Sequence, residues 1–292
     1  MNRLQQTAAP APNASAFAFV QELVGELSAG RIDLPSFPDV VVRVRRTLSD
    51  DRVTPEMVVR VVGSEPALAG RLLRVANSAA LNPGGRAVTD LKTAVTRLGF
   101  NAVRSASIAF AVSQLKNAPA LRKLKQPLDE LWQRSALVAA TCHALARGAR
   151  GINPDEAMLT GLLHGIGKLY ILTRAHKHTE LFEDAASYQQ IVSDWHPQIA
   201  KAILENWEIS ESLIDAVQLQ NEIFREHQGP ADLGDVLIIA DLLASFRKWP
   251  HMLQTNLQGV SALARLGLDQ QRLIEVIEES EEQIETLRSA LA

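Results

Sequence analysis

The stretch Gly161-Leu162-Leu163-His164-Gly165-Ile166-Gly167-Lys168 places one histidine at the end of an apolar run. A histidine there can serve as a metal ligand, or it can be a helix-end residue hydrogen-bonded to backbone or to a nearby acid. The other chemistry-bearing residues are scattered. His176 and His178 are two apart, which puts them on different faces of a helix. His196 precedes Pro197 and is placed to cap a helix, and His227 and His251 lie in polar, turn-like surroundings. Cys142 and His143 are neighbours, so on a helix their side chains diverge and no thiol–imidazole pair is preset. Cys142 reads as a small core residue. Gly84-Gly85 and Gly165-x-Gly167 lack the Lys-Ser or Lys-Thr that completes a phosphate loop. Arg43, Arg45 and Arg46 in one candidate helix, and Arg71 and Arg74 at i,i+3 spacing in another, could meet a nucleotide's phosphates or RNA. They could equally form a solvated face. Asn77-Ser78 could contact a ligand or partner, or could end one helix and start the next through local hydrogen bonds.

These residues must be positioned by helices. Phe17, Val20, Val24 and Leu27 recur at spacings of three and four, and Gly30 suits that helix's end. Thr54-Pro55-Glu56 is a cap followed by proline at the first helical position. Ser64-Glu65-Pro66 opens another helix, carrying Leu68, Leu72, Leu73 and Val75. Asn82-Pro83-Gly84-Gly85 is a turn. Thr89 or Asp90 caps a helix that Gly99 ends, and Asn101 begins the next. A long helix is expected from about Leu128 to Ala149. Asn153-Pro154-Asp155-Glu156 then starts the helix that places His164 at or near its end. No period-two strand or hairpin pattern is present. The expected fold is all-α: a multi-helix bundle in two lobes, with a polar, basic connection from Ala118-Pro119 to Pro127 between them. The expected organisation is a loose tail over 1–16, an N-terminal helical lobe over 17–118, a bundle over 127–250 and a C-terminal helical extension over 251–292. In that extension Leu273, Ile277, Ser280, Ile284, Leu287 and Leu291 step by four and three along one face. That face either docks on its own domain or pairs with a partner; docking is the expectation, since so short a helix is marginal alone.

The ordered series SEPALAGRLLRVANSA, AVTDLKTAVTRLGFNAVRSASI and GLLHGIGK, with the opening Leu34-Pro35-Ser36-Phe37-Pro38, resembles the HDOD family. These are HD-related output domains of bacterial signalling proteins, and the resemblance runs from about Leu34 to about Asp241. GLLHGIGK is similar to the GLLHDIGK segment of HD-type metal-dependent phosphohydrolases, with Gly165 in place of the aspartate. The HD resemblance implies an H…HD…D metal set on three helices, with an HD-like C-terminal bundle. The matching positions here are Ser135, the pair His164-Gly165, and Asp241, with Lys168 where the hydrolases resemble a phosphate binder. Two of the four ligand positions keep a ligand, whereas a catalytic ion usually takes at least three from the protein. The segment Ala216–Asn221, where related cyclic di-GMP hydrolases carry a second histidine pair, has no histidine. The implied function is a non-enzymatic signalling module with no metal and no cofactor. It would act through signalling-protein partners, with links to cyclic di-GMP or two-component systems; no receiver, GGDEF or EAL domain is recognisable. The alternatives are a residual metal-dependent phosphohydrolase and a nucleotide- or nucleic-acid-binding regulator.

Bulk properties limit the rest. Apolar residues make up 47% and aromatics only 5%, which favours aliphatic helix packing. The net charge of −3 argues against bulk attraction to nucleic acid or anionic membrane. A single cysteine, no run near the length of a membrane span and no apolar leader in MNRLQQTAAPAP point to a reducing cytoplasm as the expected location.

Overall fold

The computed structural model describes residues 14–30, 39–77, 85, 87–116, 119–207, 209–247, 255–269 and 271–280. These residues form helices and connecting turns, with no strand among them. The expectations on Leu34–Pro38, Ser78, the turn at Asn82–Gly84, His251, and Ile284, Leu287 and Leu291 lie outside the described residues. In chain order the helices are α1 (Ala14–Ser28), α2 (Asp39–Leu48), α3 (Pro55–Val62), α4 (Pro66–Ala76), α5 (Leu91–Lys116), α6 (Lys125–Gly148), α7 (Pro154–Leu163), α8 (Ile166–Ala175), α9 (Ala185–Asn206), α10 (Glu211–Gln218), α11 (Leu233–Phe246) and α12 (Ser261–Leu266). A further helical stretch covers 271–280.

Local chemistry sets many of the boundaries. Thr54 accepts from Met57 N and caps α3, and Asn153 accepts from Asp155 N and caps α7, each with proline at the start of the helix. Asp90, rather than Thr89, caps α5 by accepting from Thr93 N at 2.8 Å. Gly99 breaks α5 with φ 75° and ψ 167°, a conformation open to glycine, so the helix expected to end there does and another follows. The connection before α6 is a short 3-10 turn, Pro119–Leu124, and α6 starts at Lys125.

Two hydrophobic clusters organise the chain. One joins α2, α3, α4 and part of α5 through Val40, Val44, Val58, Leu68, Leu72, Val103 and Phe110. The larger one joins α6 to α12. One boundary differs from expectation. α1 begins at Ala14, inside the stretch expected to be tail, and its Phe19 and Leu23 are buried in the larger cluster against α9. The buried face of α1 is Ala16, Phe19 and Leu23, whereas Phe17 and Val24 of the expected face are exposed, at 56% and 36%, because the surface that the C-terminal bundle offers decides which side of the helix is covered. The described part of the extension docks in cis, the arrangement expected: Val260, Ala262, Leu273 and Val276 are buried in the larger cluster. No helix among the described residues is long and apolar enough to cross a membrane.

α6 and α7 make the most extensive helix–helix contact in the structure. They touch at backbone level: a Cβ built on Gly161 would lie 2.6 Å from Ala139 Cα. α8 and α9 meet as closely, since a Cβ on Gly167 would lie 2.0 Å from the His196 carbonyl oxygen. Neither contact can yield by rotating a side chain. Gly161→Ala should therefore cost about 1–3 kcal/mol or more in a denaturant titration. Gly25→Ala, in α1 with nothing within 4 Å of the new methyl, should be neutral or stabilising by up to about 1 kcal/mol. Equal effects at the two positions would refute the packing account.

Candidate functional site

His164 is the residue that closes α7, with φ −54° and ψ −33°, and Gly165 turns the chain directly into α8. That junction drives the imidazole inward, where it is 1% exposed. Its Nδ1 lies 2.6 Å from the Gly161 carbonyl oxygen, which can only accept, so Nδ1 carries the proton. Nε2 then presents its lone pair toward Asp241 Oδ1 at 3.8 Å. Burial pulls the ring's pKa down to about 4 despite the Asp241 charge, so His164 is neutral at pH 7. The carbonyl oxygen of His164 accepts from Gln220 Nε2 at 3.2 Å.

Asp241 comes from the middle of α11 and faces α6. Its partner is Arg134. Arg134 Nη2 lies 2.6 Å from Asp241 Oδ1, 2.9 Å from the Asp241 carbonyl oxygen and 2.7 Å from Ser245 Oγ. Burial would raise the Asp241 carboxyl, but the His164 ring, the Arg134 guanidinium and Lys168 outweigh it and hold the carboxyl below its usual range. Lys168, at the position where the resemblance implies a phosphate binder, makes no hydrogen bond or ion pair within 4 Å among the described residues. It borders an open groove of about 480 Å³ together with Arg134, Leu172, Phe182 and Tyr188. Burial lowers its pKa, with Asp241 opposing and Arg134 adding to the shift.

The two positions without a ligand are also brought together. A Cβ on Gly165 would sit 3.2 Å from Ser135 Oγ. Between Ser135, Gly165, Trp132 and Leu169 lies a cavity of only about 30 Å³, room for roughly one water. The topology thus brings Ser135 to Gly165 and His164 to Asp241. The donor set does not fit a resident divalent ion. One imidazole and one carboxylate remain, and the carboxylate is already bonded to a guanidinium. No metal-assisted step follows from these residues.

The remaining candidates are dispersed. Arg71 is 4% exposed, donates to Ser113 Oγ at 2.9 Å and lies over the Phe110 ring, while Arg74 is exposed. The Arg71 guanidinium is thus engaged inside the fold. Asn77 ties the end of α4 to Val88 instead: its amide donates to the Leu73 and Val88 carbonyls and its oxygen accepts from Val88 N at 2.7 Å. His196 is no cap but a buried residue inside α9, its pKa pulled down to about 3 by burial and then by Lys168. Cys142 is fully buried and its thiol pushed up, which rules out an activated nucleophile.

Two features escaped the sequence. Arg134 read as filler beside Ser135; its only signal was a charge at the edge of an Ala-rich buried run. The second is a cluster of His227, Asp232 and Asp235 with ligand atoms within 4.8 Å of one another. Asp235 is fully buried and takes both Nε and Nη2 of Arg265, at 2.9 and 2.7 Å, while Asp232 pairs with Arg225. Two guanidinium groups already neutralise the two carboxylates, so the cluster is a structural lock on the start of α11.

The model of the HDOD domain matches residues 34–223. The chain belongs to the HDOD family. Solved structures repeat the HDOD architecture over nearly all of the chain. A candidate metal-dependent phosphohydrolase from Shewanella amazonensis is 22% identical with a TM-score of 0.79, covering 96% of this chain and 100% of that one. An HDOD domain protein of unknown function from Geobacter sulfurreducens is 20% identical with a TM-score of 0.66, covering 92% and 96%. A candidate signal-transduction protein from Marinobacter aquaeolei is 21% identical with a TM-score of 0.64, covering 96% and 67%. At these identities the likeness is one of fold. No curated protein matches the chain.

Two expectations follow for this HDOD site. His164 has a folded pKa below its unfolded value of about 6.5, so the unfolded chain binds more protons between pH 6.5 and 4. His164 should contribute full stability above pH 6.5 and lose about 2–3 kcal/mol of it on going to pH 4, with buried His196 adding a loss of the same sign. His164→Gln should flatten that slope by about one proton; an unchanged slope would show that His164 does not titrate in this range. Asp241→Ala should lower stability by about 1–2 kcal/mol by stranding Arg134, discounted because both side chains are about a third exposed. Chelator should not change the wild-type melt. A wild-type-like melt for Asp241→Ala, with chelator destabilising the wild type, would instead mean a bound ion.

Proposed function

We propose that this HDOD chain is a non-enzymatic regulatory module of bacterial signalling that works by binding protein partners. The observation that carries the reading is the Arg134–Asp241 pair. Where an HD hydrolase would place a divalent cation against its last aspartate, this chain places a guanidinium fixed by three contacts. A guanidinium stays charged and supplies no activated water, so it substitutes for the metal's charge and not for its chemistry. Ser135 and Gly165 leave the ligand set short on the facing side. The rigid, helix-mounted site is kept as a packing element. The likeness to a candidate signal-transduction protein supports a signalling role, and the family's place among output domains supports a partner from a two-component or cyclic di-GMP system. The phosphohydrolase neighbour favours the other reading only at the level of fold.

The test is turnover. Purified protein supplied with Mn²⁺, Mg²⁺ or Fe²⁺ should hydrolyse neither cyclic di-GMP nor bis-p-nitrophenyl phosphate above the rate of a His164→Ala variant. Metal-dependent turnover abolished by His164→Ala would sink the proposal. In-cell cross-linking should in turn recover a sensor, receiver or cyclic-dinucleotide protein as the dominant partner.

A further inference from the structure

α1 meets the bundle with one side and leaves the other bare. Both of its acidic residues are engaged on the bundle side. Glu26 accepts from the Tyr170 hydroxyl and pairs with Arg174 Nε at 3.2 Å, and Glu22 meets His178 Nε2 at 2.9 Å. With Phe19 and Leu23 buried in the larger cluster, these contacts hold the helix firmly. Among its described side chains the exposed ones are Phe17, Ala18, Gln21, Val24, Gly25 and Ser28. At about 100° per residue they span about 120° of the helix surface, with Gln21 at the centre, opposite Phe19 and Leu23. None of them carries a charge, although a helix face turned to water ordinarily does. Phe17 is 56% exposed and Val24 36%.

We propose that this face binds the same face of a second copy of the chain, the two α1 helices running antiparallel about a twofold axis at Gln21. The face is self-complementary about that residue. On one edge lie the small Ala18 and Gly25, seven residues apart, where two helices can approach closely. A Cβ on Gly25 would meet nothing within 4 Å, so the space beside it is open. In the pair, Ala18 of each copy lies beside Gly25 of the other. On the other edge Phe17 of each copy covers Val24 of the other. Gln21 meets Gln21 at the axis, where the two amides donate and accept reciprocally. Antiparallel order also sets the positive end of each helix dipole against the negative end of the other. A charged partner would find no counter-charge on this face, whereas a second copy presents a face as uncharged as its own. The helix is already ordered on its bundle, so association does not have to fold it. A pair of helices this short covers less than the roughly 1,200 Å² of a standard interface, so the dimer is reversible, with a dissociation constant on the order of micromolar. The proposal does not rest on how the Arg134–Asp241 region functions.

Sedimentation equilibrium of the full chain tests the proposal. The wild type should pass from monomer to dimer across the micromolar range. Gln21→Glu sets two carboxylates against each other at the axis, and Gln21→Lys two ammonium groups. Each should weaken dimerisation by at least about tenfold. Gln21 is exposed and opposite the buried face, so neither change threatens the fold. An equimolar mixture of the two variants should recover a heterodimer, because the charges at the axis then attract. Chain direction has its own readout: Ala18→Cys mixed with Gly25→Cys should form a disulfide between the two variants on mild oxidation, and neither variant should do so alone. A wild type that stays monomeric through the high micromolar range overturns the proposal. So does a dimer that both Gln21 variants leave unchanged, and so does a mixture of those variants that recovers nothing. A disulfide formed by Ala18→Cys alone and not by the mixture overturns the antiparallel pairing.

Discussion

The backbone contact between α6 and α7 at Ala139 and Gly161 is the constraint on which the rest of this protein depends. Two helices can approach that closely only where one has no Cβ and the other carries small side chains. α6 supplies Ala136, Ala139, Ala140 and Ala144 along its buried side. The contact fixes Ser135 opposite Gly165 and sets Arg134, one residue earlier, toward α11. The second close approach, of Gly167 to the His196 carbonyl, fixes α8 against α9 and so places Lys168 beside the same region. The two outer glycines of the motif are therefore spacers, whereas Gly165 turns the chain from α7 into α8 opposite Ser135.

With the helices locked, electrostatics decides what the site can be. α11 is almost wholly apolar between Leu233 and Phe246, and such a helix has little in its own sequence to fix its rotation. Arginines from other helices fix it at two points. Arg265 of α12 holds Asp235 in the first turn, and Arg134 of α6 holds Asp241, with Ser245 one turn on. In each case a buried or partly buried carboxylate is matched by a planar, permanently charged group making several hydrogen bonds, the arrangement that compensates for desolvation. A guanidinium in this role holds geometry as a metal ion would while offering no Lewis acidity. It does so through a bond network whose members sit on separate helices, which makes the site a joint between α6, α7 and α11.

That joint lies within the larger cluster. α5 passes from one cluster to the other, with Phe110 in the first and Ile108 and Val112 in the second.

Much was legible in the chain itself. Caps and breakers such as Thr54, Asn153 and Gly99 act through bonds within a few residues, so α3, α7 and the break in α5 follow from local chemistry. The all-α class follows from helical spacing and the lack of period-two runs. His164 and Asp241 were legible as a pair because a motif and its order along the chain carry over between relatives. The tertiary structure alone decided what those residues do. Arg134 and Asp241 are 107 residues apart, as Asp235 and Arg265 are 30 apart, and no local pattern encodes which guanidinium reaches which carboxylate. The same holds for α1, whose apolar face needs some surface but does not name it. Arg71 and Arg74 look alike in sequence, yet one is buried on Phe110 and the other is exposed. Spacing determines which residues share a helix face. Only the packing of helices against one another determines what that face meets, because those contacts are made between segments that the chain order keeps apart.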